Sequence, residues 1–258
     1  MTRERQLVES NRWLVSLKQN PHAKLHLICF PYAGGGVPVF RNWVEELPAE
    51  VGVRAVLLPG RGSRFNEEPF KRLAQVVSPL AQEIQRAAPL PFAFYGHSLG
   101  ALIGFELARE LRRQSAPMPV CLFLSGREAP HWIESRPAIH DLPDTAFVQE
   151  LMDFNGTPAE VVENAELMQL LLPVVRADFE IAEKYRYYDE SPLECSIRVF
   201  GGLGDEQVTI EGLEAWREHT CAEFSMRMQP GDHFFIHNQR ELFLRALAED
   251  LRKVMDLL

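Results

Sequence analysis

Phe92-Ala93-Phe94-Tyr95-Gly96-His97-Ser98-Leu99-Gly100-Ala101 is the stretch on which the fold turns. Four apolar residues stop abruptly at Gly96, and an amphipathic run, Ala101 to Leu111, opens directly after Gly100. An apolar strand, then Gly-x-Ser-x-Gly, then a helix is the pattern of a nucleophile elbow, a tight turn that pushes a serine hydroxyl out of a sheet. Such a turn strains the serine backbone, and glycines flank it because a Cβ there would strike neighbouring backbone. Ser98 is therefore the candidate nucleophile. The amide of Leu99, at the helix start, points toward the oxygen on which negative charge develops. His97 faces away from the nucleophile and reads as a packing or hydrogen-bonding residue under the turn.

On either side of the elbow, short apolar runs alternate with longer amphipathic segments. The runs are Leu25 to Phe30, Val53 to Leu58, Val120 to Leu124, Ile197 to Phe200 and Glu223 to Met228, while helical spacing marks Leu73 to Ala87 and Arg240 to Leu257. This alternation predicts an α/β fold, a mostly parallel sheet with helices on both faces. It breaks between about Trp132 and Asp189, where apolar residues recur at helical spacing with no convincing strand. That segment reads as a helical lid, with Met152, Phe154, Met168 and Leu171 offering an apolar wall to a substrate chain; plain extra core is the alternative. Within it, Thr157 is the expected cap of a helix that takes Pro158 in its first turn, and Pro173 is expected to kink or divide the next helix. Residues 1–258 thus read as one domain with a helical insertion at about 132–189.

A serine hydroxyl is a weak nucleophile at neutral pH, so a base and an orienting carboxylate are required. In this arrangement they follow in the order Ser, acid, His, on loops after the last strands. Asp205 follows the run ending at Phe200, in Gly201-Gly202-Leu203-Gly204-Asp205, and His233 follows the run ending at Met228, in Pro230-Gly231-Asp232-His233. Asp232, Glu206 and Asp189 are the rival acids, and His237 is the rival base. Asp232 is the weaker choice because adjacent side chains on a loop diverge. A second oxyanion donor is expected from Phe30-Pro31-Tyr32-Ala33-Gly34-Gly35-Gly36, whose glycine density lets backbone amides approach a ligand. A phosphate cradle is the competitor there, but the loop lacks the Gly-Lys-Ser/Thr ending of a P-loop.

The 258 residues carry 27 Lys and Arg against 36 Asp and Glu, a net charge of −9. With no basic run, the chain is not built for nucleic acid or an anionic membrane, since both require phosphates to be neutralised. The charged N-terminus lacks the apolar core of a signal peptide, and no stretch approaches the roughly 20 apolar residues of a membrane helix. Cys29, Cys121, Cys195 and Cys221 form no CxxC pair, so reduced thiols in a cytoplasmic protein are expected and no zinc site.

With these residues in place, the chain resembles the type II thioesterases, the stand-alone editing hydrolases of polyketide and nonribosomal peptide synthesis. It is similar also to the medium-chain acyl carrier protein hydrolases of fatty acid synthesis. The resemblance runs nearly end to end, through FPYAGGG (30–36), LPGRGSR (58–64), FYGHSLGA (94–101), GTPAEV (156–161), LPVVRADF (172–179), the GxxD ending at Asp205, and PGDHFF (230–235). It implies an α/β-hydrolase fold with Ser98 as nucleophile, His233 as base and Asp205 as orienter. It also implies the amides of Ala33 and Leu99 as the oxyanion hole, a mobile lid near 132–189, and no metal or cofactor. The implied partner is an acyl or peptidyl carrier protein whose phosphopantetheine arm bears the acyl group. Arg61, Arg64, Arg176 and Asp178 lie in motifs of the family, and are expected to pair with carboxylates or anchor loops. A carboxylesterase would share all of this chemistry, and a fatty acid chain-terminating hydrolase would differ only in acyl length preference. A non-catalytic carrier-binding module is expected to have lost part of the triad.

Overall fold

The computed structural model describes residues 12–18, 20–88, 91–132, 137–153 and 165–258. Seven strands form one sheet: β1 (Leu14–Ser16), β2 (Leu25–Phe30), β3 (Val51–Val56), β4 (Phe92–His97), β5 (Cys121–Ser125), β6 (Ser196–Gly202) and β7 (Phe224–Gln229), in the spatial order β1-β3-β2-β4-β5-β6-β7. Every neighbouring pair is parallel except β1 with β3. The described helices are α1 (Trp43–Glu46), α2 (Leu73–Ala87), α3 (Leu99–Arg113), α4 (Asp144–Asp153), α5 (Ala165–Lys184), α6 (Ile210–Glu214), α7 (Phe235–Asn238) and α8 (Arg240–Met255). All of the expected strands are present. The sequence reading did not foresee β1, because three residues are too few to show a period.

Alternation along the central strands sends successive side chains to opposite faces. Ile28, Phe30, Phe92, Phe94, Leu122 and Leu124 pack with Leu80 and Ile84 of α2 and Leu102 and Phe105 of α3. Leu27, Cys29, Ala93, Tyr95 and Phe123 face the other way, onto Trp43 of α1 and Phe243, Leu247 and Leu251 of α8. Both faces of the sheet are therefore covered, as a parallel sheet requires. The segment between β5 and β6 holds a third, smaller core of Ile139, Phe147, Leu151, Met168 and Leu172.

Two details of that segment differ from expectation. Helix α5 runs unbroken through Pro173. The helix is not divided there: the proline lacks the N–H that would bond to Gln169, and both residues are exposed, so the released carbonyl lies on the water-facing side. Met152 is also exposed and faces away from the cavity described below, whereas Met168 and Leu171 line it. Phe154, the Thr157 cap and Pro158 lie outside the described residues.

The strand order fixes where chemistry can occur. The chain runs from β2 outward to β3, then crosses back to place β4 on the other side of β2. Loops leaving the carboxyl ends of β2 and β4 consequently diverge and open a crevice at this switch point, where open α/β sheets bind their ligands. The loops in question are 31–36 and the elbow at Ser98.

Candidate active site

Ser98 sits between β4 and α3 with φ 52° and ψ −114°, a conformation that costs about 1–3 kcal/mol in a non-glycine residue. The turn holds because its N–H donates to the Ser125 carbonyl at 2.8 Å and because its flanks have no side chains. A Cβ on Gly96 would lie 2.1 Å from the Gly100 carbonyl oxygen, and one on Gly100 would lie 2.2 Å from that of Phe30. Beneath the turn, fully buried His97 places Nδ1 2.9 Å from Ser125 Oγ, which also pairs with the Tyr95 hydroxyl at 2.8 Å. Burial, with lesser contributions from His233 and His237, holds the His97 pKa well below its ordinary value, so this ring is neutral at pH 7.

Asp205 and His233 come from the loops after β6 and β7, which are joined by a Gly204 N–H to Gly231 carbonyl bond of 2.8 Å. His233 Nδ1 lies 2.8 Å from Asp205 Oδ2, and both side chains are buried. The other carboxylate oxygen, Oδ1, accepts the Gln207 N–H at 2.9 Å. This pairing fixes the ring so that Nδ1 carries the proton and Nε2 is the free acceptor. The ring lies 4.9 Å from that of His97, centroid to centroid. Ser98 and His233 line the same cavity, without a direct hydrogen bond between them.

The rivals are otherwise engaged. Asp232 Oδ1 accepts the Phe234 N–H at 2.9 Å and the Asn238 side chain at 2.8 Å, which fastens the start of α7. His237 Nε2 lies 2.9 Å from the Tyr32 hydroxyl, and burial together with Arg240 lowers its pKa. Glu206 is exposed, and Asp189 accepts the Tyr187 hydroxyl at 3.1 Å on the surface. Tyr32 went unnoticed in the sequence beyond its place in a glycine-rich loop. Its ring packs edge-on to His97, Phe234 and His237, tying the β2 loop to the base loop, and burial pushes its hydroxyl up to about 12.

Ala33 and Leu99 both line the cavity, and among the described residues neither amide has a protein acceptor. The neighbouring Gly34 N–H, in contrast, is taken by Asp178 Oδ2 at 2.8 Å. The cavity has a volume of about 1230 Å³ and is roofed by Leu151 of α4 and by Met168, Leu171, Val175 and Phe179 of α5. Its size suits a long flexible chain, and its apolar roof with polar groups at one end is the common form of a small-molecule site. Among the described residues no cluster of His, Cys, Asp and Glu could hold a metal ion. No described helix is long and apolar enough to cross a membrane.

A mostly parallel sheet of this order, with a strained serine after its central strand and a His–Asp pair on the loops beyond, defines the α/β-hydrolase class. Residues 25–253 match the family model described as a thioesterase domain, and the chain belongs to that family, as a type II thioesterase and thioester hydrolase. It is 47% identical over 245 residues to the gramicidin S biosynthesis protein GrsT of Aneurinibacillus migulanus, covering 95% of this chain and 96% of that one. The medium-chain S-acyl fatty acid synthase thioesterase of Rattus norvegicus is 36% identical over 227 residues, 85% of this chain and 84% of the relative. The solved structure of YbtT, a type II thioesterase from the yersiniabactin NRPS/PKS biosynthetic pathway, superposes with a TM-score of 0.83 at 30% identity, over 94% of this chain and 99% of that one.

Proposed function

We propose that this thioesterase hydrolyses acyl groups from the phosphopantetheine arm of an acyl or peptidyl carrier protein, editing stalled or aberrant intermediates of a polyketide or nonribosomal peptide synthase. The observation that carries the reading is the 2.8 Å His233–Asp205 pair at the end of an apolar-roofed cavity that also receives Ser98. Its greater likeness to the gramicidin S protein than to the fatty acid enzyme supports a biosynthetic synthase over fatty acid chain termination. We take the chain as one hydrolase domain with the segment at about 132–189 as its lid. Four free cysteines, three of them buried, accord with a cytoplasmic setting.

In the acylation step, His233 Nε2 takes the Ser98 proton as Oγ attacks the thioester carbonyl. The amides of Ala33 and Leu99 receive the developing oxyanion, and the imidazolium, steadied by Asp205, returns its proton to the departing pantetheine sulfur. Water then enters, gives a proton to the same nitrogen and attacks the acyl-serine. Collapse of this second tetrahedral intermediate releases the carboxylic acid and restores Ser98. The amides hold the charged sp³ oxyanion more strongly than the neutral carbonyl oxygen, which makes them selective for the transition state.

The experiment is a matched set: one acyl group presented as a carrier-bound thioester, as a thioester of a short thiol and as an oxygen ester. The carrier-bound thioester should be hydrolysed with the highest kcat/KM, and mass spectrometry should find the trapped acyl group on Ser98. An enzyme that prefers the oxygen ester and ignores the carrier is a carboxylesterase, and the proposal is then wrong.

A further inference from the structure

The loop carrying Ala33 is held from helix α5. Asp178, on that helix and only 1% exposed, accepts two hydrogen bonds from the Arg61 guanidinium, one at each oxygen and both 2.8 Å, and a third from the Gly34 N–H at 2.8 Å. Arg61 reaches further, donating from Nη1 to the Gly35 carbonyl at 2.7 Å. The carboxylate thus fixes one side of the Gly34-Gly35 unit and the guanidinium fixes the other. Gly35 N–H donates back to the Tyr32 carbonyl at 2.8 Å, closing a four-residue turn with Ala33 and Gly34 at its centre. Gly34 has φ +76°, the left-handed conformation that the third position of a type II turn demands. Within such a turn the Ala33 amide has no freedom of its own, and its direction follows from how Gly34 and Gly35 are held.

We propose that Asp178 and Arg61 are positioning residues for the oxyanion hole, which aim the Ala33 amide and make its aim depend on the seating of α5. The inference rests on the reading of Ser98 and Ala33 given above. Neither side chain is placed to touch a reacting atom; Asp178 acts through the Ala33–Gly34 peptide, whose N–H it accepts, and Arg61 through the Gly35–Gly36 peptide, whose carbonyl it holds. Alternative uses of this pair are excluded by its geometry: the carboxylate has both oxygens engaged, and the guanidinium is spent on Asp178 and backbone carbonyls. The same helix supplies the cavity roof through Met168, Leu171 and Val175, so the surface that covers the acyl chain and the clamp that aims the amide are one rigid element. Displacing α5 withdraws the carboxylate, and the hole is complete only while the chain is covered.

The test uses Asp178→Ala, Arg61→Gln and the near-isosteric Asp178→Asn. Three measurements are made on each: hydrolysis of a medium-chain acyl thioester of N-acetylcysteamine, binding of the matching trifluoromethyl ketone, and binding of the matching amide. The ketone adds Ser98 Oγ to form a tetrahedral oxyanion, whereas the amide occupies the cavity without reacting. Asp178→Ala and Arg61→Gln should lower kcat by about 10²-fold, the scale of a lost oxyanion donor, with KM changed by less than about threefold. Affinity for the ketone should fall in the same proportion and affinity for the amide should not. Asp178→Asn, whose carbonyl can still accept the Gly34 N–H, should lie between these and the parent. Folded variants with unchanged kcat, or with equal losses of ketone and amide affinity, overturn the proposal. So does the failure of all three to fold, which would make the pair structural alone. A parent enzyme that forms no adduct at Ser98 overturns the underlying reading; a parent that does, beside variants that do so equally well, overturns this inference alone.

Discussion

Replacing Asp205 with asparagine exchanges one oxygen for an NH₂ group in a site with no room for ambiguity. The carboxylate uses both oxygens as acceptors, Oδ1 for the Gln207 N–H at 2.9 Å and Oδ2 for His233 Nδ1 at 2.8 Å, and its side chain is wholly buried. Asparagine has a single acceptor. If its oxygen stays with Gln207, the NH₂ donates to His233 Nδ1, which moves the ring proton to Nε2 and leaves no acceptor for the Ser98 proton. If the amide flips, the tautomer is correct, but NH₂ then faces the Gln207 N–H, and a buried unmatched donor costs about 1–3 kcal/mol. At about 2 kcal/mol only a few per cent of molecules take the productive arrangement, a loss of about 30-fold. Even these lack the negative charge opposite the imidazolium, and a neutral partner is roughly half as strong as an ionised one, a further loss of about tenfold or more. The product is a fall in kcat of about 300-fold or more, on the way to the roughly 10⁴-fold typical of a triad histidine held in the wrong tautomer.

The assay is steady-state hydrolysis of a carrier-bound acyl thioester, with thermal melts to establish that each variant is folded. Asp232→Asn is the control, because its Oδ1 serves the start of α7 and not the base. It should stay within a few fold of the parent. An Asp205→Asn enzyme within tenfold of the parent, or an Asp232→Asn enzyme damaged as badly, would refute the assignment.

Ser98→Ala should lower turnover by about 10⁴-fold or more at unchanged thermal stability, because triad members act as a unit, and retention of substantial turnover by the folded variant would remove the nucleophile. Gly100→Ala should give little folded protein or a large fall in Tm, since the new Cβ would meet the Phe30 carbonyl oxygen at 2.2 Å; a soluble, fully active variant would show that the elbow is not so tightly built. Burial, aided by His131 and Arg109, lowers the pKa of His219 to about 4. Between the unfolded value of about 6.5 and that folded value the unfolded chain binds the proton that the native chain refuses, so stability falls on acidification by up to about 1.4 kcal/mol per pH unit. Urea melts of His219→Gln should show a shallower loss from pH 6.5 to 5 than the parent, and an identical slope would contradict the burial argument. Leu171→Trp, on the cavity roof, should shift the preferred acyl length downward while rates on a short acyl thioester change only a few fold; Met152→Trp, on the outer face, should change neither.

Much of the site could be read from the sequence because its constraints are local. Gly96, Ser98 and Gly100 lie within five residues, and the steric reason for them needs no tertiary information. Asp205 and His233 each stand a few residues beyond an apolar run, and the rule that chemistry gathers at the carboxyl ends of strands does the rest. What could not be read is what depends on distant partners or on which way a helix faces. Arg61 and Asp178 are 117 positions apart, and nothing in either neighbourhood says that they meet around Gly34. Met152 and Met168 are equally apolar members of amphipathic segments, yet only Met168 lines the cavity, because the insertion has apolar residues on more than one side of its helices. Leu167 and Leu170, at least a third exposed, make the same point. Pro173 does not divide its helix, because the carbonyl it releases, that of Gln169, lies on the exposed side.

The lid's separate core bears on how access and chemistry are joined. Ile139, Phe147, Leu151, Met168 and Leu172 pack with one another and belong to neither cluster that flanks the sheet. Displacing the Met168–Leu172 end of α5 therefore disturbs this small core first, whereas Ile181, farther along the same helix, packs in the main core on the α2–α3 face of the sheet and anchors that end. Beside that apolar anchor, the motion is resisted by a set of specific contacts: the Arg61–Asp178 clamp, the Val175 methyl beside Gly34, and the Tyr185 hydroxyl that donates to Glu106 Oε1 at 2.8 Å. Polar contacts of this kind are directional and are lost within a small displacement, unlike apolar contacts, which weaken gradually as area is exposed. A lid fastened in this way has a seated arrangement separated sharply from any other. An acyl chain that fills the roof adds about 0.8 kcal/mol per buried methylene to the seated side. Chain length and catalytic competence are then linked through α5: a chain long enough to hold the helix down also holds the Ala33 amide on target. Selectivity for acyl length should accordingly be visible in kcat as well as in KM, and a substrate series in which only KM varies would break that link.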